Sequence, residues 1–272
     1  MPQDWTTCPH CAQPSRFPNV LQAEEPEEQR SLDARYQQAK QDAANRGAHQ
    51  AVQQFETEVK TSQAVITRPF EEVARLAKSD KELYATYYQL TQLRIPLGET
   101  WDLLRDIADT ALFGPRVKSE IRFATLVLDD EGLSNYGNCS VLLKEDLIAH
   151  RATVFHENSV MFMKRRNIKF SDAPALPLGY RATWAQRHLL CVAKLAGRLG
   201  ASTLAAQFPR LLVKPGTPET DEFVEVHVFG SMTVRTFARV IVRPKKRHPK
   251  KSQCLALEHE LTKAGVPLEV RS

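Results

Sequence analysis

The change in sequence pattern near residue 115 constrains the fold of this chain more than any other feature. Before it, apolar residues recur three or four positions apart in polar surroundings, which is the spacing of one helix face. After it, short β-branched and aliphatic runs at residues 121–128, 139–143, 152–155, 237–242 and 268–270 lie between turn residues, which is typical of strands. Helices are expected among these strands at 183–199 and 202–208. The pattern predicts an α+β fold in which a helical N-terminal half precedes a mixed sheet.

The composition excludes several classes of protein. Charged residues make up 25% of the chain and hydrophobic residues 42%, which is ordinary for a globular protein and not for a disordered chain. Five cysteines in no regular framework argue against a disulfide-bonded scaffold. The sequence has neither an apolar run long enough to cross a membrane nor a basic, apolar leader. We therefore expect a cytoplasmic protein with no membrane partner.

Residues 1–30 carry a close pair of cysteines, Cys8 and Cys11. Two thiolates separated by two residues are half of a typical zinc site, because the turn between them directs both at one ion. Zinc takes four ligands, and no second close pair follows, although His10 and His49 are available. Two interpretations stay open: a zinc knuckle that stabilises the terminus or grips nucleic acid or a partner, and a pair of free thiols.

Residues 31–115 are predicted to be helical. We interpret the first part as a helix packed against its own domain, and the alternative is a helical hairpin or a coiled-coil contact with a second chain. Two further helices are expected around a break at Pro96, Leu97 and Gly98, and the second ends at Gly114. The first part has one narrow apolar stripe at Leu32, Tyr36, Ala39, Ala43, Val52, Phe55 and Val59.

Strict alternation predicts a strand at residues 223–229. Glu225 and His227 share one face with two phenylalanines, whereas only valines occupy the other face. An edge strand with one wet face explains a carboxylate beside an imidazole. A strand that lines a cleft explains it too, and Glu225 would then stabilise a cation or accept a proton.

Three segments of the C-terminal half resemble the sequence blocks of a known family. Their residues, order and spacing are similar to those of a group of bacterial ADP-ribosyltransferases that occurs in polymorphic toxins and phage head proteins. The resemblance covers residues 116–243. The segments are Tyr136-Gly137-Asn138-Cys139-Ser140-Val141-Leu142-Leu143-Lys144, Arg151-Ala152-Thr153-Val154-Phe155 with Asn158-Ser159, and Val224-Glu225-Val226-His227-Val228-Phe229-Gly230.

The resemblance implies a split mixed-sheet fold that binds NAD in a cleft. Glu225 matches the family's glutamate, which hydrogen-bonds the nicotinamide ribose and stabilises the cation that forms as nicotinamide leaves. Tyr136, Gly137 and Cys139 match a block near the nicotinamide pocket, in which the tyrosine would stack on the ring. His227 stands where the family has a glutamine.

The family also has an early arginine or histidine that holds the phosphate or the ribose of NAD. This sequence has no clear counterpart ahead of the first block. Arg94 is the first candidate for that contact with the cofactor, and Arg122 is the second. Without such a residue, the domain would be a non-catalytic relative of the family.

A basic loop follows the last block, with six cations between residues 243 and 251. Such a loop gains affinity for nucleic acid by neutralising phosphates, and the alternative is a solvated loop in a slightly basic protein. The cations are Arg243, Lys245, Lys246, Arg247, Lys250 and Lys251.

These observations lead to two functional hypotheses. The first is an ADP-ribosyltransferase-like toxin or defence effector that cleaves NAD and transfers ADP-ribose to RNA, DNA or protein, with an antitoxin or chaperone as a partner. The second is a non-catalytic nucleic-acid-binding or assembly protein that uses the basic loop and the cysteine knuckle. The expected organisation is a terminus and linker at 1–30, a helical region at 31–115, a ribosyltransferase-like domain at 116–245, and the basic loop with a C-terminal helix at 246–272.

Overall fold

A mixed sheet of eight strands organises the part of the chain that the structure describes. The computed structural model describes residues 17–92, 99–171, 175–217, 219–244 and 249–271. Neighbouring strands are antiparallel except the last pair, which is parallel. In spatial order the strands are β5 (Arg181–Thr183), β4 (Ala152–Phe155), β6 (Glu225–Phe229), β2 (Ile121–Val127), β1 (Gln63–Arg68), β3 (Cys139–Leu143), β7 (Phe237–Val242) and β8 (Leu268–Val270).

Helices cover both faces of this sheet, and because nearly all of its strand pairs are antiparallel the structure is α+β, as the sequence predicts. No helix among the described residues is both long enough and apolar enough to cross a membrane. The helices are α1 (Pro18–Glu24), α2 (Pro26–Asn45), α3 (His49–Val59), α4 (Phe70–Ala77), α5 (Tyr87–Gln92), α6 (Glu99–Phe113), α7 (Glu145–Ile148), α8 (Ser159–Arg165), α9 (Arg187–Leu195), α10 (Phe208–Leu212) and α11 (Lys251–Lys263).

Strand β1 is the main departure from the sequence prediction, which has residues 31–115 helical. It lies between β2 and β3 at the centre of the sheet, and Ala64, Val65 and Ile66 are at most 3% exposed. A central strand is buried on both faces, so its residues form a short, continuous apolar run that periodicity cannot distinguish from part of a helix. Helical sequence on both sides therefore hides this strand.

The C-terminal half follows the prediction with small shifts. Strands β2, β3, β4, β7 and β8 lie where their apolar runs predict them. The helix predicted at 183–199 is α9 with irregular ends, and the one predicted at 202–208 begins later, as α10. Strand β5 and helix α8 were not predicted. Asn158 caps helix α8: its side chain accepts hydrogen bonds from the backbone N–H groups of Val160 and Met161, so a local cap fixes the start of the helix at Ser159.

One face of the sheet packs against the long helices and forms the main core; we call it the valine face. Val226 and Val228 of β6 are fully buried there. The predicted stripe of α2 and α3 joins the same core, for example through Leu32 and Phe55, and both helices contact α9. The stripe therefore packs within its own chain and not against a second one.

The opposite face carries polar and aromatic side chains; we call it the polar face. Strand register and alternation place Phe123, Glu225, His227 and Thr67 on it. Helices α6 and α8 cover its first part by packing their apolar residues on β2 and β4. The loop after β2 covers the second part so closely that a Cβ on Gly132 would lie 2.1 Å from the Thr67 hydroxyl. This face holds the candidate site.

Candidate functional site

Glu225 begins strand β6, an interior strand paired with β4 and β2. It is 2% exposed, and so is His227 two residues later. The interpretation of this segment as an edge strand with a wet face is therefore wrong. A buried carboxylate on an interior strand needs charge or hydrogen-bond partners, since burial without them is costly.

Three groups on different elements contact the Glu225 carboxylate. His227 Nε2 lies 3.0 Å from Oε2, and the backbone N–H of Ser159 at the start of α8 lies 3.3 Å from the same oxygen. Arg105 of α6 lies 3.5 Å from Oε1. Burial by itself raises the pKa of this carboxyl, but the Arg105 charge and the His227 hydrogen bond outweigh it, so the pKa lies below its usual value. The carboxylate is therefore ionised at neutral pH.

A second buried carboxylate, Asp109, shares the same guanidinium. Arg105 Nε lies 3.0 Å from Asp109 Oδ2, and the hydroxyls of Ser159 and Tyr88 each donate to this carboxylate at 3.0 Å. Asp109 is fully buried, and burial raises its pKa despite the Arg105 charge, with the Glu225 charge adding to the rise. One arginine thus serves two carboxylates, and their pKa values move in opposite directions.

Aromatic rings enclose this charged cluster. The guanidinium of Arg105 lies 3.9 Å from the centre of the Phe123 ring. The His227 ring contacts Phe113, Phe123 and Phe155 at centroid distances of 4.8, 5.4 and 5.8 Å. Such surroundings exclude water and strengthen every electrostatic contact inside them.

A cavity of about 310 Å³ opens on the polar face beside the turn that precedes β3. Thr67 of β1, Ser140 of β3, Gly137 and Asn138 line it. The Thr67 hydroxyl is buried and makes no hydrogen bond within the described structure. At Gly137 a Cβ would lie 2.1 Å from the backbone of Arg68, so only glycine permits this approach of the turn to β1.

Tyr136 comes directly before the cavity wall at Gly137 and is 36% exposed. Burial raises the pKa of its phenol, and the charges of Asp221 and Glu225 raise it further. The cavity at Gly137 and the pair Glu225 and His227 therefore share the polar face of the sheet.

Cys139 does not belong to that region. Its side chain is fully buried in the main core on the valine face, and burial raises its thiol pKa to about 12. Alternation along β3 turns its neighbour Ser140 toward the cavity instead. The expected role of Cys139 at a nicotinamide pocket therefore has no support from its placement.

Three further residues of the polar region were missed by the sequence analysis: Arg105, Asp109 and Asp221. Asp221 is 2% exposed, and burial, together with the Glu225 charge, raises its carboxyl pKa to about 6 even though the nearby Asn135 amide favours the charged form. It lies four residues before Glu225 in the sequence, and that spacing was visible. Arg105 and Asp109 were not identifiable, because charged residues on an amphipathic helix are usually solvated.

Arg68 at the end of β1 is a second missed arginine. Its guanidinium lies 4.9 Å from the Tyr84 ring and 3.5 Å from the Glu72 carboxylate, and burial lowers its pKa. Tyr136 is close enough to contribute to that pKa. The predicted alternative, Arg122, points to the valine face by strand alternation and binds the Glu120 carbonyl oxygen at 2.8 Å.

Several predicted site residues lie outside the described residues: Cys8, Cys11, Arg94, Lys245, Lys246 and Arg247. Lys250 and Lys251 are exposed at the start of α11. Within the described ranges, no three histidine, cysteine or acidic side chains come together in a group that could hold a metal ion.

No protein-family model matches the chain, and no curated protein matches it. A function for this chain must therefore be argued from the residues of the polar face and from their geometry.

Proposed function

We propose that this chain is an ADP-ribosyltransferase-like toxin or defence effector, which cleaves NAD and transfers ADP-ribose to a macromolecule. The observation that carries the proposal is Glu225, an ionised carboxylate on an interior strand, on the same sheet face as a polar cavity. An ionised group in a dry aromatic site is uncommon, and it suits a reaction that develops positive charge.

The reaction breaks the bond between the ribose C1′ and the nicotinamide nitrogen. The bonding electrons go to the nitrogen, nicotinamide leaves as a neutral molecule, and the ribose carries the positive charge. Glu225 would stabilise that charge, and a nucleophile on the acceptor would then bond to C1′ and release its proton. Stabilisation by a preorganised charge in a dry site is the strongest single contribution that the described residues offer.

The three resembling segments support the proposal through their placement. The second segment forms β4 and the cap of α8, and the third forms β6. They meet at Glu225, which pairs with Phe155 across the strands and accepts a hydrogen bond from Ser159. The first segment forms β3 and the cavity wall at Gly137. The second and third segments therefore meet at Glu225, and Gly137 of the first segment lies at a cavity on the same face of the sheet, whereas Cys139 lies on the other face.

None of the three arginines is placed on the polar face by the described structure. Arg68 ends strand β1 and pairs with Cys139 of β3, so alternation puts it on the valine face, where it contacts the Tyr84 ring. Arg122 faces the same side, and Arg94 lies outside the described residues. No residue is therefore assigned to the phosphate or ribose of NAD. The nucleic-acid-binding alternative depends on residues mostly outside the described chain and stays a prediction.

The test is incubation with NAD labelled in the adenylate part, in the presence of RNA, DNA or protein acceptors. We expect nicotinamide release and label transfer, and Glu225→Gln should slow both by about a hundredfold because it removes the stabilising charge. Glu222→Gln is the matched control: Glu222 lies on the same approach to β6 but pairs with exposed Arg198, so its rate should equal that of the wild type. Equal rates for Glu225→Gln and wild type would contradict the proposal.

A further inference from the structure

Helix α6 closes the Glu225 site with an arginine of its own. The Arg105 guanidinium contacts the Glu225 carboxylate at 3.5 Å, and Arg105 is 8% exposed in the assembled fold. Ala108 farther along α6 packs on Val160 and Met163 of α8, which holds the helix over the polar face. No substrate atom can reach Glu225 while this helix stays in place.

The surroundings of the Arg105 guanidinium define a site for a flat cation. The Phe123 ring lies beneath it at 3.9 Å, and carboxylates of Glu225 and Asp109 lie at its edge. A ring on one side and anions at the edge stabilise a planar positive group through cation–π and charge interactions. The same chemistry suits a guanidinium or a pyridinium ring.

We propose that this is a binding site for a planar organic cation, that Arg105 is its internal occupant, and that the ligand takes the place of Arg105 when α6 moves aside. If the proposed function is correct, the ligand is the pyridinium ring of NAD. Only the identity of the ligand, and not the cation site itself, rests on the proposed function. In this arrangement α6 keeps the protein latent until its arginine is displaced.

The charges of the site explain why an occupant is needed. Glu225 is buried, and a buried carboxylate left without its partner destabilises the fold strongly. The open site is therefore disfavoured when it is empty, and a cation must replace Arg105 as it leaves. Because the ligand competes with Arg105, its apparent affinity falls with the fraction of molecules in which the site is open.

The end of α6 is suited to such movement. The helix is followed by Gly114 with a φ of +78°, and a Cβ there would meet no atom within 4 Å, so the chain reverses in open space. Near its start, Leu103 is 61% exposed. The helix is held by the Arg105 cluster, by apolar residues that pack on α8 and the sheet, and by contacts of Asp102 with Tyr87 and of Asp106 with Lys118. All of these contacts must give way when it moves.

The experiment compares two small molecules of the same shape, the cation 1-methylnicotinamide and neutral nicotinamide. Arg105→Ala vacates the site, so saturating 1-methylnicotinamide should raise its Tm by about 3 °C, whereas the Tm of the wild type should rise much less because the ligand must first displace Arg105. Nicotinamide should have no effect on either protein. The double variant Arg105→Ala with Glu225→Gln keeps the space but lacks the charge, and its Tm should not respond. If Arg105→Ala does not fold, hydrogen exchange of the wild type decides the question.

Three results would overturn the proposal: no response of the folded Arg105 variant to the cation, an equal response to neutral nicotinamide, or an undiminished response in the double variant. A measurement on the wild type needs no substitution. Amide hydrogens of α6 should exchange faster as 1-methylnicotinamide is added, because the ligand favours the displaced helix, and unchanged exchange at the highest concentration would also count against it.

Measuring NAD cleavage beside cation binding distinguishes a failure of this proposal from a failure of the proposed function. Arg105→Ala should release nicotinamide at least about fivefold faster than the wild type, because α6 loses the contact that holds it closed and opens more often. Cation binding without NAD cleavage would support the cation site and contradict the proposed transferase function. Loss of both binding and cleavage, with recovery in Arg105→Lys, would show that Arg105 positions Glu225 and does not occupy a ligand's place.

Discussion

The two faces of the sheet are built from the same strands and have opposite characters. On the valine face, side chains such as Val226 and Val228 are fully buried among the residues of α2, α3 and α9. On the polar face, the same strand presents Glu225 and His227, also 2% exposed, to an arginine and a ring of phenylalanines. Burial to a similar extent therefore stabilises the fold on the valine face, whereas on the polar face it holds charged groups in fixed positions.

The difference shows how much the partners of a buried group matter. Apolar contacts on the valine face stabilise the fold by about 2 kcal/mol for each large side chain. On the polar face, the desolvation cost of the buried ions is offset only when all their charge and hydrogen-bond partners are present, so these ions add little net stability. The buried charges of the polar face are therefore better explained by a functional role than by a contribution to stability.

The largest expected effect on stability comes from introducing a carboxylate on the valine face. Val226→Glu puts a carboxylate among apolar side chains with no cation to receive it, so the free energy of unfolding should fall by about 4 kcal/mol or more. Urea unfolding measures it. Val226→Ala, as the control, should cost about half as much. A loss below that of the alanine variant would mean that the valine face tolerates charge.

An intermediate effect is expected where the polar face approaches β1. Gly137→Ala brings a Cβ within 2.1 Å of the Arg68 backbone, so either the turn or the strand must shift. We expect a loss of about 2 kcal/mol in the free energy of unfolding. Gly197→Ala is the matched control, because a Cβ there meets no atom within 4 Å. Equal stability of the two variants would refute the close approach.

The smallest effect is a pH dependence on the polar face. The pKa of Asp221, about 6 in the fold, lies above its unfolded value of roughly 4, so the folded state binds the proton more tightly. Stability is therefore lost as the pH rises from about 4 to about 6, and Asp221→Asn should restore about 1 kcal/mol at pH 7.5 and nothing at pH 4. Exposed Asp33→Asn should show no such difference. A gain that does not depend on pH would contradict a raised pKa.

Alternation and apolar runs were sufficient to predict several strands and the shared face of Glu225 and His227. These features depend on neighbours in the sequence, which a local pattern records. Strand β1 was missed because periodicity does not separate a short buried strand from a helix turn. The β-branched run Val65, Ile66 and Thr67 was the one local signal that favoured a strand. Arg105 and Asp109 were missed for a different reason: only tertiary packing determines which charged residues of an amphipathic helix become buried.

Strand β1 joins two groups of strands, since β5, β4, β6 and β2 lie on one side of it and β3, β7 and β8 on the other. A fragment that starts at residue 116, where the sequence pattern changes, would lack this strand. It would expose two long unpaired strand edges in the middle of the former core, and such edges recruit other chains. Recombinant fragments cut there should aggregate, whereas a synthetic peptide with the β1 sequence should be able to complement them.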